Sequence, residues 1–370
     1  MAKRILMVID GLPGGGAEKV VITLVAGLLA AGHRVSLFSL RKVCEYALPA
    51  GVDYQVIEDR CRRPWRKLTE LGRRARQLDN AVATAERAGG AFDLVVSHLH
   101  KTDRIVRRCA ALKADKTWFC LHGVFSASYL GHRRGVSRWL KARKIQRVYQ
   151  QRNVIAVSAY ALEDLKRAFE VSPRREAVIA NPFDIDAIRS LAQAPLTPPA
   201  PEFILHVGRF HETKRHDRLL QAYALTDLAI PLVLLGKGSA EKTAALRAQA
   251  AALGIEQRVI FQGFSDNPYA WMARASLLVV SSDSEGFGNV LIESMLCGTP
   301  VVSTRCPGGP ASLLQGELAR GLADLNPVSL ANAMLEIYRQ PPDLTQIDFS
   351  AFATPAICQQ YLALLAQEQI

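Results

Sequence analysis

Two carboxylates, Glu285 and Glu293, stand eight positions apart with GFGNVLI between them. Gly286 and Gly288 allow the backbone to approach a ligand closely, and the helix that the following apolar run predicts would begin at Asn289, its N-terminus attracting an anion such as a diphosphate. A carboxylate about one turn into that helix can accept both hydroxyls of a ribose, while the loop carboxylate faces whatever the phosphates carry. Two cations, Arg209 and Lys214, suit the same diphosphate, one as a planar fork and one as a point charge. His122, directly after an apolar run, is a further candidate.

The elements that must position these groups follow from hydropathy. Residues 277–280 (LLVV) predict a buried parallel strand, 283–288 a loop, 289–297 a helix stopped by Gly298 and Pro300, and 301–304 the next strand. Upstream, residues 5–9 predict a strand, 11–16 a glycine-rich turn, 18–31 a helix and 35–40 a second strand, a βαβ unit. The turn is neither common phosphate motif. Lys19 holds the place where a dinucleotide fingerprint needs glycine, and the Gly-Lys-Ser/Thr of a P-loop is missing. Further strands are expected at 92–97, 116–121 (ending at His122 and Gly123), 153–158 and 177–179, and a helix at 160–169. Pro195, Pro198, Pro199 and Pro201 mark a stiff linker. A second alternation of strands and helices starts at Phe203, with strands at 232–235 and 259–261. The expected class is α/β, with domains at 1–182 and 202–345, a linker at 183–201 and a closing helical segment at 346–370.

The glutamate pair with EGFG between, and the helix ending in CGTPVV, resemble the E-x7-E signature of the retaining glycosyltransferases of family four. GGGAEK, VGR…K, LLGKG and VIFQGF resemble that family's segments in the same order. The resemblance implies a GT-B fold, two Rossmann-like parallel-sheet domains facing each other across a cleft, with 346–370 returning to the first. It implies His122 and Glu285 as catalytic residues. The donor diphosphate would be held by Gly15, Gly16, Arg209, Lys214, Gly286, Phe287, Gly288 and Asn289, and its ribose and base by Glu293, Gly263 and Phe264. No metal or other cofactor is implied. The donor would be a nucleotide sugar, a UDP-sugar first. Two departures stand out: Arg215 occupies a place where glycine commonly follows the lysine, and Ser312 one where relatives often carry an acid.

Composition bounds the rest. With 49% hydrophobic and 22% charged residues the 370-residue chain is an ordinary globular protein, long enough for two cores. No run of 18 apolar residues occurs, and the apolar stretch near the start is short enough for a strand and too short for a signal peptide. Seven cysteines without C-x-x-C pairs suggest reduced thiols, and His98 and His100, with no cysteine nearby in sequence, are not read as metal ligands. Charge is lopsided. Residues 1–182 hold 33 Lys and Arg against 16 Asp and Glu, the remainder 13 against 18. A basic first domain predicts an anionic partner: a lipopolysaccharide core or similar anionic glycolipid acceptor, at the anionic inner face of the membrane. Residues 60–76 form a basic helical stretch, either a solvated surface helix or one laid on that membrane through Trp65. The expected location is cytoplasmic and peripheral, with no nucleic acid bound. Other functional classes with the same fold or charge are a nucleotide-sugar epimerase, a silent nucleotide-sugar sensor, and a nucleic-acid binder.

Overall fold

A computed structural model describes all residues except 63, 65, 132 and 367–370. It divides into two compact units, one formed by residues 1–183 with the chain's last segment from Ser350, the other by Asp184–Phe349.

The first unit is built on seven strands, β1 (Arg4–Ile9), β2 (Arg34–Ser39), β3 (Asp53–Val56), β4 (Leu94–His98), β5 (Thr117–Leu121), β6 (Asn153–Ala156) and β7 (Arg175–Val178). They form one parallel sheet in the order β3-β2-β1-β4-β5-β6-β7. The central strands are buried on both faces, which is why they read as mainly apolar runs. Helices α1 (Gly16–Ala30), α2 (Arg66–Gly89), α3 (His100–Val106), α4 (Gly135–Tyr149) and α5 (Ala159–Phe169) cover the sheet. The short β3 is only half-buried and carries no apolar run, so its composition did not announce it. Within the basic stretch α2 buries Arg74 and Ala75 while Leu68 is exposed, and beyond it buries Leu78, Val82 and Ala85. Trp65, the proposed membrane anchor, lies outside the described residues.

The second unit has α6 (Ile185–Ala192), strands β8 (Ile204–Val207), β9 (Leu232–Leu235), β10 (Val259–Gly263), β11 (Leu277–Val280), β12 (Val301–Thr304) and β13 (Leu322–Ala323), and helices α7 (His216–Thr226), α8 (Ala240–Ala252), α9 (Pro268–Met272), α10 (Asn289–Leu296), α11 (Pro310–Leu313) and α12 (Pro327–Arg339). Its sheet, also parallel, runs β10-β9-β8-β11-β12-β13. The order reverses between β8 and β11, and ligands of such sheets bind beyond the strand ends at that switch. Residues 185–194 are a folded part of this unit, although the proline-rich composition marks a linker from 183. Ile188 and Ala192 are buried, Arg274 holds the carbonyls of Ala192 and Ala194, and the Asn267 amide donates to Leu191.

After Phe349 the chain re-enters the first unit, where α13 (Thr354–Ala363) lies on α1. Gly27 makes this approach possible, because a Cβ there would stand 2.3 Å from Thr354 Cγ2 and 2.7 Å from Cys358 Sγ. Tyr361, buried at the sheet, hydrogen-bonds with Cys120 at 3.7 Å. All seven cysteines are free. No helix among the described residues is long and apolar enough to cross a membrane.

Candidate active site

In the second unit the loop after β11 brings Glu285 against Lys214. The ammonium donates to Glu285 Oε1 at 2.6 Å and the Ser282 hydroxyl to the same oxygen at 2.5 Å. Both partners take Oε1, so Oε2 is the atom left for a ligand. One backbone and one side-chain hydrogen bond hold the two loops together: Asp283 N–H to Thr213 O, and the Ser281 hydroxyl to Lys214 O, each 2.8 Å. On its other side, Glu285 N–H donates to Pro307 O and Gly309 N–H returns to Glu285 O. Gly309 permits that contact, since a Cβ there would lie 2.0 Å from Phe287 O.

Gly288, at φ +98, turns the chain into α10 and, having no side chain, leaves the helix start without a side-chain cap. Gly286, Phe287 and Asn289 complete this turn, at the positive end of the helix dipole. Glu293 is buried at 7% exposure and accepts from the Tyr269 hydroxyl at 3.2 Å. Tyr269 was not foreseen. The signal for it was Asn267-Pro268, since Asn267 Oδ1 caps α9 and Pro268 opens it, fixing the tyrosine that follows.

Arg209 is exposed and pairs with no carboxylate among the described residues. Its loop lies against the Gly-x-Gly turn: a Cβ on Gly236 would stand 1.9 Å from Gly208 O, and one on Gly238 would meet Phe210 at 2.5 Å. Gly263 has φ +84, and the half-exposed Phe264 ring carries the Lys237 ammonium 4.1 Å over one face. Ser312 turns back to Gly309 O, closing its own turn.

The departure at Arg215 has a structural cause. This residue sits at φ +49, ψ +50, left-handed backbone that glycine adopts without strain. Its guanidinium bridges Asp217 and Asp283 at 2.8 and 3.1 Å, and burial-resisting pairing with these acids raises its pKa. Beside it the buried Arg218 donates to Ser281 O at 2.8 Å and Asp283 Oδ1 at 2.6 Å. Together they brace the loop that carries Glu285, a role that sequence spacing did not reveal.

In the first unit Gly14, at φ +77, and Gly15 lead into α1, which starts at Gly16 without a side-chain cap. The Tyr46 hydroxyl donates to Gly15 O at 2.8 Å. His122 follows β5, and its Nε2 lies 2.9 Å from His98 Nδ1. Burial lowers the pKa of His122 to about 4 and that of His98 well below its usual value, so both are neutral near pH 7. Met7 Sδ is 3.4 Å from His98 Nε2, and a thioether only accepts. His98 therefore carries its proton on Nε2, His122 Nε2–H donates to His98 Nδ1, and His122 Nδ1 is left as a buried lone pair without a partner among the described residues. Ligand atoms of His98, Cys120 and His122 lie within 4.8 Å of one another, a proximity hidden in the sequence because β4 and β5 contribute them separately. The 2.9 Å N···N contact is a hydrogen bond, shorter than the about 3.3 Å edge of a tetrahedral zinc site. His100 instead hydrogen-bonds with Tyr149 at 2.9 Å.

Comparison with known proteins adds to this geometry. A family model described as glycosyl transferases group 1 matches residues 201–340, and one described as glycosyltransferase family 4 matches residues 14–187. The chain is 28% identical over 313 residues, 82% of its length and 81% of the relative's, to the Campylobacter jejuni N-acetylgalactosamine-N,N'-diacetylbacillosaminyl-diphospho-undecaprenol 4-alpha-N-acetylgalactosaminyltransferase. It is 31% identical over 212 residues, 55% of this chain and 62% of the other, to the lipopolysaccharide core biosynthesis glycosyltransferase LpsE of Rhizobium meliloti. Among solved structures, HepE of Anabaena in complex with UDP and glucose superposes with a TM-score of 0.70 at 22% identity, covering 99% of this chain and 98% of that one. At that identity the likeness bears on the fold.

Proposed function

This chain belongs to the family 4 glycosyltransferases and has their GT-B fold, and from that premise we propose that it is a retaining, metal-independent hexosyltransferase. Its donor is a nucleotide sugar, a UDP-sugar first, and its acceptor a lipopolysaccharide core or similar anionic glycolipid met at the inner face of the membrane. The observation that carries the proposal is the Lys214–Glu285–Ser282 cluster at the start of α10, with Glu293 one turn further in.

In this mechanism Arg209, Lys214 and the amides of residues 286–289 stabilise the charge that grows on the departing diphosphate. Glu293, oriented by Tyr269, takes the ribose; Gly263 and Phe264 border the base. Lys214 leaves Glu285 for phosphate when donor enters, which frees that carboxylate for the sugar hydroxyls. For the first unit the family resemblance assigns His122, whose Nδ1 can only accept, to a sugar hydroxyl, and Gly15 and Gly16 to the donor phosphate. The bond from the anomeric carbon to the phosphate oxygen breaks and a bond to the acceptor oxygen forms on the same face. The acceptor proton passes to the leaving phosphate, so no metal ion is assigned a role.

A thermal-shift screen against UDP-, GDP-, ADP- and dTDP-sugars, followed by hydrolysis of the best binder with and without chelator, tests this. Protection by one donor class, lost in Glu293→Ala, is expected. Full turnover by Glu285→Ala would contradict the assignment.

A further inference from the structure

The second unit holds a buried polar residue that the proposed mechanism does not use. His206 lies in β8 at 1% exposure, and its Nδ1 is 2.8 Å from Val279 O in the neighbouring strand β11. A carbonyl only accepts, so Nδ1 carries the proton and Nε2 is a lone pair. Burial first, with the Lys214 ammonium adding to it, lowers the pKa of this ring to about 4, which keeps it neutral near pH 7. Nε2 has no hydrogen-bond partner among the described residues and faces Gly208. A Cβ on Gly208 would stand 3.3 Å from that nitrogen, and 3.8 and 3.9 Å from Cδ and Cε of Lys214. The ring is held from the side by His216, near-perpendicular with centroids 4.6 Å apart, and His216 in turn by Phe210 at 4.7 Å.

The place of this bond in the fold gives it a consequence for the site. The pairing of β8 with β11 ends at Leu205 and Leu278, where the strand order of the sheet reverses. Val279 is the next residue out, and from it every second residue toward Glu285 is tied to the segment 206–218. Val279 O accepts from His206; Ser281 donates to Lys214 O and accepts from Arg218; Asp283 N–H donates to Thr213 O; Glu285 accepts from Lys214. His206 makes the innermost of these rungs, and because its ring is buried, water cannot replace the bond when it is lost. The same ring backs Gly208, the residue before Arg209. We propose that His206 is a positioning residue of the donor site, its Nδ1–H to Val279 O setting the spacing between the loop that carries Arg209 and Lys214 and the loop that carries Glu285. The proposal rests on the glycosyltransferase reading for what the loops bind, but not for the tie between them.

The test compares the full natural chain with His206→Asn, His206→Gln and His206→Phe. Asparagine and glutamine carry the same amide, but only the shorter side chain places an N–H where Nδ1 stands; phenylalanine keeps a ring against His216 and has no donor. Hydrogen exchange of the Asp283 amide in the ligand-free protein, read against the amides of β9, reports the tie between the loops. Calorimetric titration with UDP, GDP, ADP and dTDP reports the site. His206→Asn should match the natural chain within about threefold in both readouts. His206→Gln and His206→Phe should exchange the Asp283 amide about tenfold faster with β9 unchanged, and bind the preferred diphosphate about tenfold more weakly. Equal Asp283 exchange in all four proteins overturns the proposal. Faster exchange with undiminished diphosphate affinity overturns it as well, leaving His206 a structural residue only. If no nucleoside diphosphate binds the natural chain, the proposed function fails, and the contrast between His206→Asn and His206→Gln in Asp283 exchange still upholds or overturns the tie.

Discussion

Replacing Arg215 separates two opposing effects at the lip of the candidate donor site. The backbone at φ +49 costs a residue with a Cβ about 1 kcal/mol, which glycine does not incur. The guanidinium offsets this through ion pairs to Asp217 and Asp283, about a third exposed and hence worth about 0.5 kcal/mol each. Arg215→Gly loses the pairs and relieves the backbone, so its stability should stay within about 0.5 kcal/mol of the natural protein. Arg215→Ala loses the pairs and keeps the strain, and should be less stable than the glycine variant by about 1 kcal/mol, or about 3 °C in the melting of a unit of this size. Urea denaturation and thermal melting of the three proteins measure the difference. An alanine variant as stable as the glycine variant refutes the argument, because at ordinary helical or extended backbone alanine would equal or exceed glycine.

Three other perturbations have outcomes as definite. Gly309→Ala places a Cβ against Phe287 O, so the Glu285–Asn289 loop must shift; expected are a loss of about 2 kcal/mol and of donor-sugar protection, and unchanged protection would show the loop is not part of the site. Arg218→Ala removes the buried donor to Ser281 O and should cost about 2 kcal/mol and raise KM for the donor more than it lowers kcat, checked by melting and steady-state kinetics. His206 and His216 are held neutral, with pKa values lowered to about 4 and about 2 chiefly by burial, whereas the unfolded chain protonates them below about pH 6.5. Depressed folded values mean that their contribution is present above that pH and is lost as pH falls toward 4, about 2 kcal/mol at pH 5 for His206 alone. Hydrogen exchange of the β8 and β9 amides, corrected for intrinsic rates, should show this loss of protection between about pH 7 and 5. Constant protection would contradict it.

Strands β1, β4, β5, β8, β9, β11 and β12 were legible in the sequence because parallel strands buried on both faces are mostly apolar, and the loop from Asp283 to Gly288 because glycine marks backbone that other residues resist. The glutamate pair, the two cations and the alternation of strands and helices needed only local order along the chain. What tertiary structure decided were partnerships between segments distant in sequence. Lys214 meets Glu285 across 71 residues, Tyr269 meets Glu293 from another helix, and His98 orients His122 from the neighbouring strand. Hydropathy and backbone preference are properties of neighbouring residues and survive in the sequence. Hydrogen-bond pairing, uncompensated charge and the direction of a proton depend on distances that exist only once the sheets have formed.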